Sequence, residues 1–161
     1  MVKGKIGIAD TMFSRINTAE FCLKEIEKEN KKGSRLEIER YTVPGFKDLP
    51  VACKKLFNEF NCDIVIALGW AGKAEIDQQC AHEANLGLMQ VQIEAGKHIM
   101  GVFIHENESE DEKVLFKVAG NRASDHARNA IALLKGKTEL TSFAGKGIRQ
   151  GFENEGEIKE K

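Results

Sequence analysis

The chain has 161 residues, the length of one domain, with 42% hydrophobic and 30% charged residues and a formal net charge of −1. This mixed-sign, near-neutral balance offers no footprint for nucleic acid or an anionic membrane, and no window approaches the roughly 20 apolar residues of a membrane span. The N-terminus shows no signal-peptide pattern and the four cysteines (22, 53, 62 and 80) form no Cys-x-x-Cys pair, so reduced thiols in the cytoplasm are expected.

In chain order, Lys5–Ala9 reads as a short buried strand and Asp10–Arg15 as a polar loop. A helix is predicted from about Asn17 to Asn30, with Ala19, Cys22, Leu23 and Ile26 on one apolar stripe and Gly33 beyond its end. Leu36–Val43 alternates apolar and polar residues as a strand does, and Pro44-Gly45 turns the chain. A second helix spans about Leu49 to Phe60, with Leu49, Ala52, Cys53, Leu56 and Phe60 inward. Asp63–Leu68 is the strongest strand, a continuous apolar run of the kind buried on both faces. A long helix follows from about Lys73 to Ala95, with Ile76, Cys80, Ala84, Leu88 and Val91 on one side, then a strand His98–Ile104 and a last helix from about Asp111 to Leu134. Zinc is not expected, because Cys80 and His82 stand two apart and on different helix faces.

Strands alternating with helices imply an α/β fold: a three-layer αβα sandwich around a four-stranded parallel sheet with right-handed crossovers. One domain, residues 1–161, is expected, with a regular core over 5–134 and a glycine-rich tail over 138–161 that retains Phe143 and Phe152 for packing on a neighbouring subunit. Ligands of such sheets bind outside the carboxyl ends of the strands. That singles out Asp10–Arg15, Pro44–Asp48, Gly69–Lys73 and His105–Glu110. None is a Walker loop, a dinucleotide fingerprint or a nucleophile elbow.

The segment Val43–Leu56 is similar to the Pro-Gly-x-x-Glu-x-Pro turn and helix of lumazine synthases; Asp63–Gly69, His82–Gly87 and Ala119–Ala123 resemble other parts of that flavodoxin-like fold. The resemblance covers residues 5 to 134. Two departures stand out. The loop after the third strand, Gly69–Asp77, lacks the histidine of the lumazine synthase loop, and apolar Val114 stands where an arginine near the phosphate is found. Loss of those cations removes the charge-assisted contacts a phosphate needs. Asp10–Arg15, the Lys47–Pro50 turn, Gly72–Glu75, Cys80–Ala84 and Ala144–Phe152 instead resemble the archaeal-type riboflavin synthases, which share the lumazine synthase fold.

That resemblance implies dismutation of two molecules of 6,7-dimethyl-8-ribityllumazine to riboflavin and a ribitylamino-pyrimidinedione. The acidic ring methyl of the substrate supplies much of the reactivity, so orientation of two heterocycles is the main demand on the protein. Phe13 is the candidate for stacking on a lumazine ring, against the alternative of a core side chain. Pro44, Gly45, Phe46, Lys47, Asp48 and Gly69 are candidates for substrate binding, with Asp48 also readable as a plain helix N-cap. Lys73, Glu75 and His105 are candidates for polarising the heterocycle or moving protons. His82 is read as packed or on the helix surface, His98 as structural, His126 as exposed on the last helix, and Arg122 as not binding phosphate. The resemblance also implies a homopentamer with sites between subunits, its interface on the first helix and the tail. No organic cofactor is implied. Mg²⁺ is, for which the acidic run Glu106–Glu112 is either a holder or a solvated loop. The rival readings are a lumazine synthase and a lumazine- or flavin-binding protein without turnover.

Overall fold

The computed structural model describes residues 1–160. Strand β1 (Lys3–Thr11), helix α1 (Ala19–Lys31), β2 (Arg35–Val43), α2 (Leu49–Asn58), β3 (Ile64–Ala71), α3 (Glu75–Ala95), β4 (Ile99–His105) and α4 (Glu112–Lys135) follow one another in strict alternation. The sheet has the order β2-β1-β3-β4 and every pairing is parallel. The expected α/β sandwich with a four-stranded parallel sheet is therefore present.

Two cores flank the sheet. On one face α2 and α3 bury Leu49, Leu56, Leu88 and Val91 against Val65 and Phe103. On the other, α1 and α4 bury Cys22, Ile26, Ala127 and Ile131 against Ile6, Ile8, Ile66 and Leu68. All eight residues of β3 are buried, as its apolar run requires of a central parallel strand. At α4 the Asp111 carboxylate accepts a hydrogen bond from the Lys113 N–H at 2.8 Å and so caps the helix.

The differences from the sequence reading have local causes. β3 runs on through Gly69, Trp70 and Ala71 instead of stopping at Leu68, because these residues pair in register with Phe103, Ile104 and His105 of β4; Trp70 is 1% exposed and its indole N–H donates to Glu106 at 3.1 Å. α2 ends at Asn58 and α3 begins only at Glu75. The buried stripe of α3 is Ala81, Ala84, Leu88 and Val91, while Ile76 is 60% exposed. At 3.6 residues per turn Ile76 points roughly 100° from the centre of that stripe.

The apolar face of α1 is spent inside the fold, and its Phe21 ring packs edge-on against Phe116 of α4. None of the exposed large apolar side chains lies on α1; they include Ile76, Leu86, Met89 and Ile93 on α3, Val114 and Phe116 on α4, and Phe143, Ile148 and Phe152 on the tail. The tail itself folds back on α4: Gly151 N–H donates to Asp125 at 2.7 Å, and Asn129 donates to Gln150 at 2.8 Å. Gly151 sits at φ +73° so close to the helix that a Cβ there would lie 2.6 Å from Arg122 Cα. His126, expected on the surface, is buried under this tail with its ring Nδ1 2.7 Å from the Arg122 carbonyl. Helix periodicity alone could not reveal a cover made from a distant segment.

Candidate functional site

The carboxyl ends of the strands bring the predicted loops together. Met12 N–H donates to the Val43 carbonyl at 2.7 Å and Phe13 N–H to the Pro44 carbonyl at 3.2 Å, which zips the loop after β1 to the turn after β2. Phe13 is 57% exposed at the tip, so it is not a core side chain. Gly45 is extended, with φ −149°, and a Cβ on it would meet nothing within 4 Å. Neither backbone strain nor packing within the chain demands glycine there, and Phe13, Pro44 and Gly45 together present an aromatic ring beside open backbone. Phe46 turns inward, its ring 6.1 Å from that of Phe103 on β4. Lys47 reaches across to Glu83 of α3 at 3.1 Å, and that carboxylate raises the pKa of the ammonium. Asp48 stands at the N-terminal boundary of α2 but its side chain makes no capping bond, which leaves the carboxylate free.

Gly69 lies inside β3 rather than in a loop, and its contribution is room. A Cβ there would stand 2.7 Å from the Phe103 ring. The glycine thus sets where Phe103 sits, and Phe103 in turn backs Phe46.

Of the three candidates for proton transfer, Lys73 is held by Glu110 at 2.7 Å and Glu75 is exposed on the first turn of α3. His105, at the end of β4, is the most enclosed. Its Nδ1 hydrogen-bonds the side-chain oxygen of Gln78, and its backbone N–H donates to Glu108 at 2.9 Å. Burial pushes the imidazole pKa below the ordinary range, with the Glu108 charge opposing and the Arg122 charge adding to that effect. A neutral ring at neutral pH results, which suits a proton acceptor.

His105 also lines a cavity of about 580 Å³ with Phe103, Glu108, Arg122, His126 and the tail residue Phe152. Of these walls, His126 and Arg122 are set aside on sequence grounds and Phe103 is assigned no role. Arg122 is 5% exposed yet donates to both Glu108 oxygens, at 2.8 and 2.7 Å, and to the Phe103 carbonyl at 2.7 Å. The Phe152 ring covers it, 4.3 Å from the guanidinium carbon. Burial alone would raise the Glu108 pKa, but the Arg122 hydrogen bonds and charge outweigh it and hold the carboxyl below its usual range. The one signal available was an arginine set among Ala119, Ala123 and Ala127, where a small-residue face leaves space for a long side chain to lie along the helix. A second cavity of about 510 Å³ opens on the α1–α4 side, where Ile16, Trp70, Leu115 and Phe116 make it largely apolar.

The acidic run after β4 does not fit a resident Mg²⁺. Glu106 and Glu112 pair with Arg15, Glu108 with Arg122 and Glu110 with Lys73. Among the described residues no group of three or more His, Cys, Asp or Glu side chains converges to hold a metal. Each glutamate of the run already has a cation and Asp111 is taken up by the cap of α4, whereas hard-cation sites need several free oxygens directed at one point. The four cysteines are unpaired; burial pushes the thiols of Cys22 and Cys53 up to about 12. No helix among the described residues is long and apolar enough to cross a membrane.

Residues 3–138 match the family described as 6,7-dimethyl-8-ribityllumazine synthase. The chain is similar to a protein of Archaeoglobus fulgidus named riboflavin synthase, 49% identical over 154 residues that cover 96% of this chain and 98% of that one. A protein of the same name from Methanothermobacter thermautotrophicus is 45% identical over 154 residues, 96% and 99% of the two chains. By contrast, a protein of Archaeoglobus fulgidus named 6,7-dimethyl-8-ribityllumazine synthase is 27% identical over 152 residues, 91% and 99% of the two chains.

Proposed function

The chain belongs to the 6,7-dimethyl-8-ribityllumazine synthase family, and we propose that within it this protein is a riboflavin synthase. The observation that carries this reading is the contrast just given: 49% identity over nearly the full length to a riboflavin synthase, against 27% to a lumazine synthase of the same organism. The reaction is the dismutation of two molecules of 6,7-dimethyl-8-ribityllumazine, in which one donates a four-carbon unit to the other. The products are riboflavin and 5-amino-6-ribitylamino-2,4(1H,3H)-pyrimidinedione.

The site is suited to that task. Phe13, exposed at its loop tip, offers a face for stacking on a heterocycle. The open backbone at Gly45 and the uncommitted carboxylate of Asp48 can receive the hydroxyls of the ribityl chain. Arg122 is neutralised by Glu108 and Val114 is apolar, so those two positions bring no free cation for a phosphate, consistent with a substrate that has none. His105, neutral and half-enclosed, is the base for the acidic ring methyl. Lys73, in the loop before α3, and Glu75, at the start of that helix, polarise the heterocycle. No organic cofactor enters, since the carbon and the electrons both come from substrate.

The active assembly is a homopentamer in which Phe13 and the Gly45 turn of one subunit meet the Phe103–His105 cavity of its neighbour. The exposed apolar residues of α3 and the tail provide the contact surface. The protein works in the cytoplasm, in keeping with its four free thiols, three of them buried.

The test is incubation of the protein with 6,7-dimethyl-8-ribityllumazine alone, followed by riboflavin absorbance and fluorescence, with and without EDTA. Riboflavin formation above the uncatalysed rate, insensitive to EDTA, is expected. No product with or without added Mg²⁺ would transfer the reading to a lumazine synthase or a lumazine-binding protein.

A further inference from the structure

The amide of Gln78 is oriented from both ends. Its nitrogen donates to the Gly72 carbonyl at 2.8 Å, and its oxygen meets Nδ1 of His105. A carbonyl oxygen can only accept, so the Gly72 contact fixes which end of the amide is the NH₂. The remaining end, the oxygen, is also only an acceptor, and Nδ1 must therefore carry the proton. The lone pair of the imidazole is then on Nε2.

Gly72 is itself a rigid reference. It is buried directly after β3, and Asp77 on the first turn of α3 stands where its Cβ would be, with an oxygen 2.5 Å from that position. The strand end therefore sets Gln78, and Gln78 sets the imidazole. The backbone of His105 is held independently by its N–H bond to Glu108, which Arg122 clamps in turn.

We propose that Gln78 is a positioning residue that holds His105 as the Nδ1–H tautomer, so that Nε2 accepts the proton of the lumazine ring methyl. The proposal rests on the riboflavin synthase reading. In the step, a methyl C–H bond breaks and an N–H bond forms at Nε2. The electron pair stays on the carbon, delocalised into the heterocycle, and the proton returns later from the imidazolium. The charged groups facing His105 are Glu108 and Arg122, already paired with each other, while α3 contributes the neutral Gln78. A second-layer partner that fixes the tautomer is a common way to commit one ring nitrogen to chemistry.

The test combines ¹⁵N spectra of the full-length protein labelled at its four histidines with steady-state riboflavin formation, His105→Gln serving to assign the signal. Wild type is expected to show Nδ1 protonated and Nε2 bare at neutral pH. Gln78→Leu should give mixed tautomers and a kcat lower by roughly three- to tenfold, a fraction of what a general base supplies, with KM little changed. Gln78→Glu keeps an acceptor at Nδ1 and adds charge, so it should retain the tautomer and move the acid limb of the kcat profile to higher pH. A wild-type spectrum with the proton on Nε2 would overturn the proposal, as would a Gln78→Leu variant with altered tautomer and unaltered kcat. Absence of any riboflavin from wild type would remove the functional reading and the base role together, and the spectrum would still decide the tautomer.

Discussion

The Phe103 ring fills the space that any side chain at position 69 would need: a Cβ on Gly69 would lie 2.7, 2.9 and 3.0 Å from three of its atoms. Gly69 is on β3 and Phe103 on its neighbour β4, where the two are register partners. Substitution Gly69→Ala must displace the ring toward Phe46 or into the cavity. Overpacking of this kind costs about 1–3 kcal/mol. Thermal or denaturant unfolding should register that loss, and riboflavin formation should fall further than stability alone explains, because Phe103 and His105 share a strand.

Phe13 and Gly45 carry the opposite expectation. Phe13 is largely exposed and the space beside Gly45 is open, so Phe13→Ala and Gly45→Val should leave the unfolding free energy of the subunit within about 0.5 kcal/mol of wild type. If they face substrate, each raises KM: Phe13→Ala by losing ring stacking, Gly45→Val by filling the ribityl space. Unchanged KM in both variants would remove the loop tips from the site.

The Arg122–Glu108 pair should be asymmetric on truncation. The side chain of Arg122 is 6% exposed and that of Glu108 26%. Glu108→Ala strands a charge with little access to water and should cost about 3–5 kcal/mol, the range for breaking a buried pair. Arg122→Met leaves a carboxylate that reaches solvent and should cost less. Urea unfolding of the two variants checks the order. Because the folded pKa of Glu108 lies below its ordinary 4.5, the pair's stabilisation is complete above that value and is lost as pH falls through the folded pKa.

His126 gives a second pH dependence in a different window. Burial first, and the Arg122 charge with it, lowers the folded pKa of His126 below its ordinary 6.5, against the pull of its hydrogen bond to the Arg122 carbonyl and of Asp125. The unfolded chain then binds more protons, so stability should decline as pH falls from about 6.5 toward the folded pKa and level off beneath it. Unfolding free energies measured across pH 5–8 should show this slope in wild type. The His126→Gln variant should flatten it, leaving only the part due to His105.

The sequence by itself determined the alternation of strands and helices, the parallel sheet and the four loops at its carboxyl edge. Those are written in short-range periodicity: the apolar run of β3, the alternation of β2 and the stripe of α1 each depend on residues within a few positions of one another. The family resemblance was legible in the same local way, from turns such as Val43–Leu56.

The tertiary structure decided what depends on distant partners. β3 extends through Trp70 to Ala71 because the distant strand β4 pairs with it there, which brings Glu106 to the indole N–H. His126 is buried because the tail returns over α4 through Gly151 and Asp125. Glu106, Glu108, Glu110 and Glu112 are ion-pair partners because Arg15, Lys73 and Arg122 converge on them from three other segments. Gln78 gains a role only when the end of β3 and the end of β4 are brought beside the first turns of α3. A local pattern records which face of an element is apolar, but the charge and hydrogen-bond state of a side chain is set by whatever the fold places within about 3 Å of it.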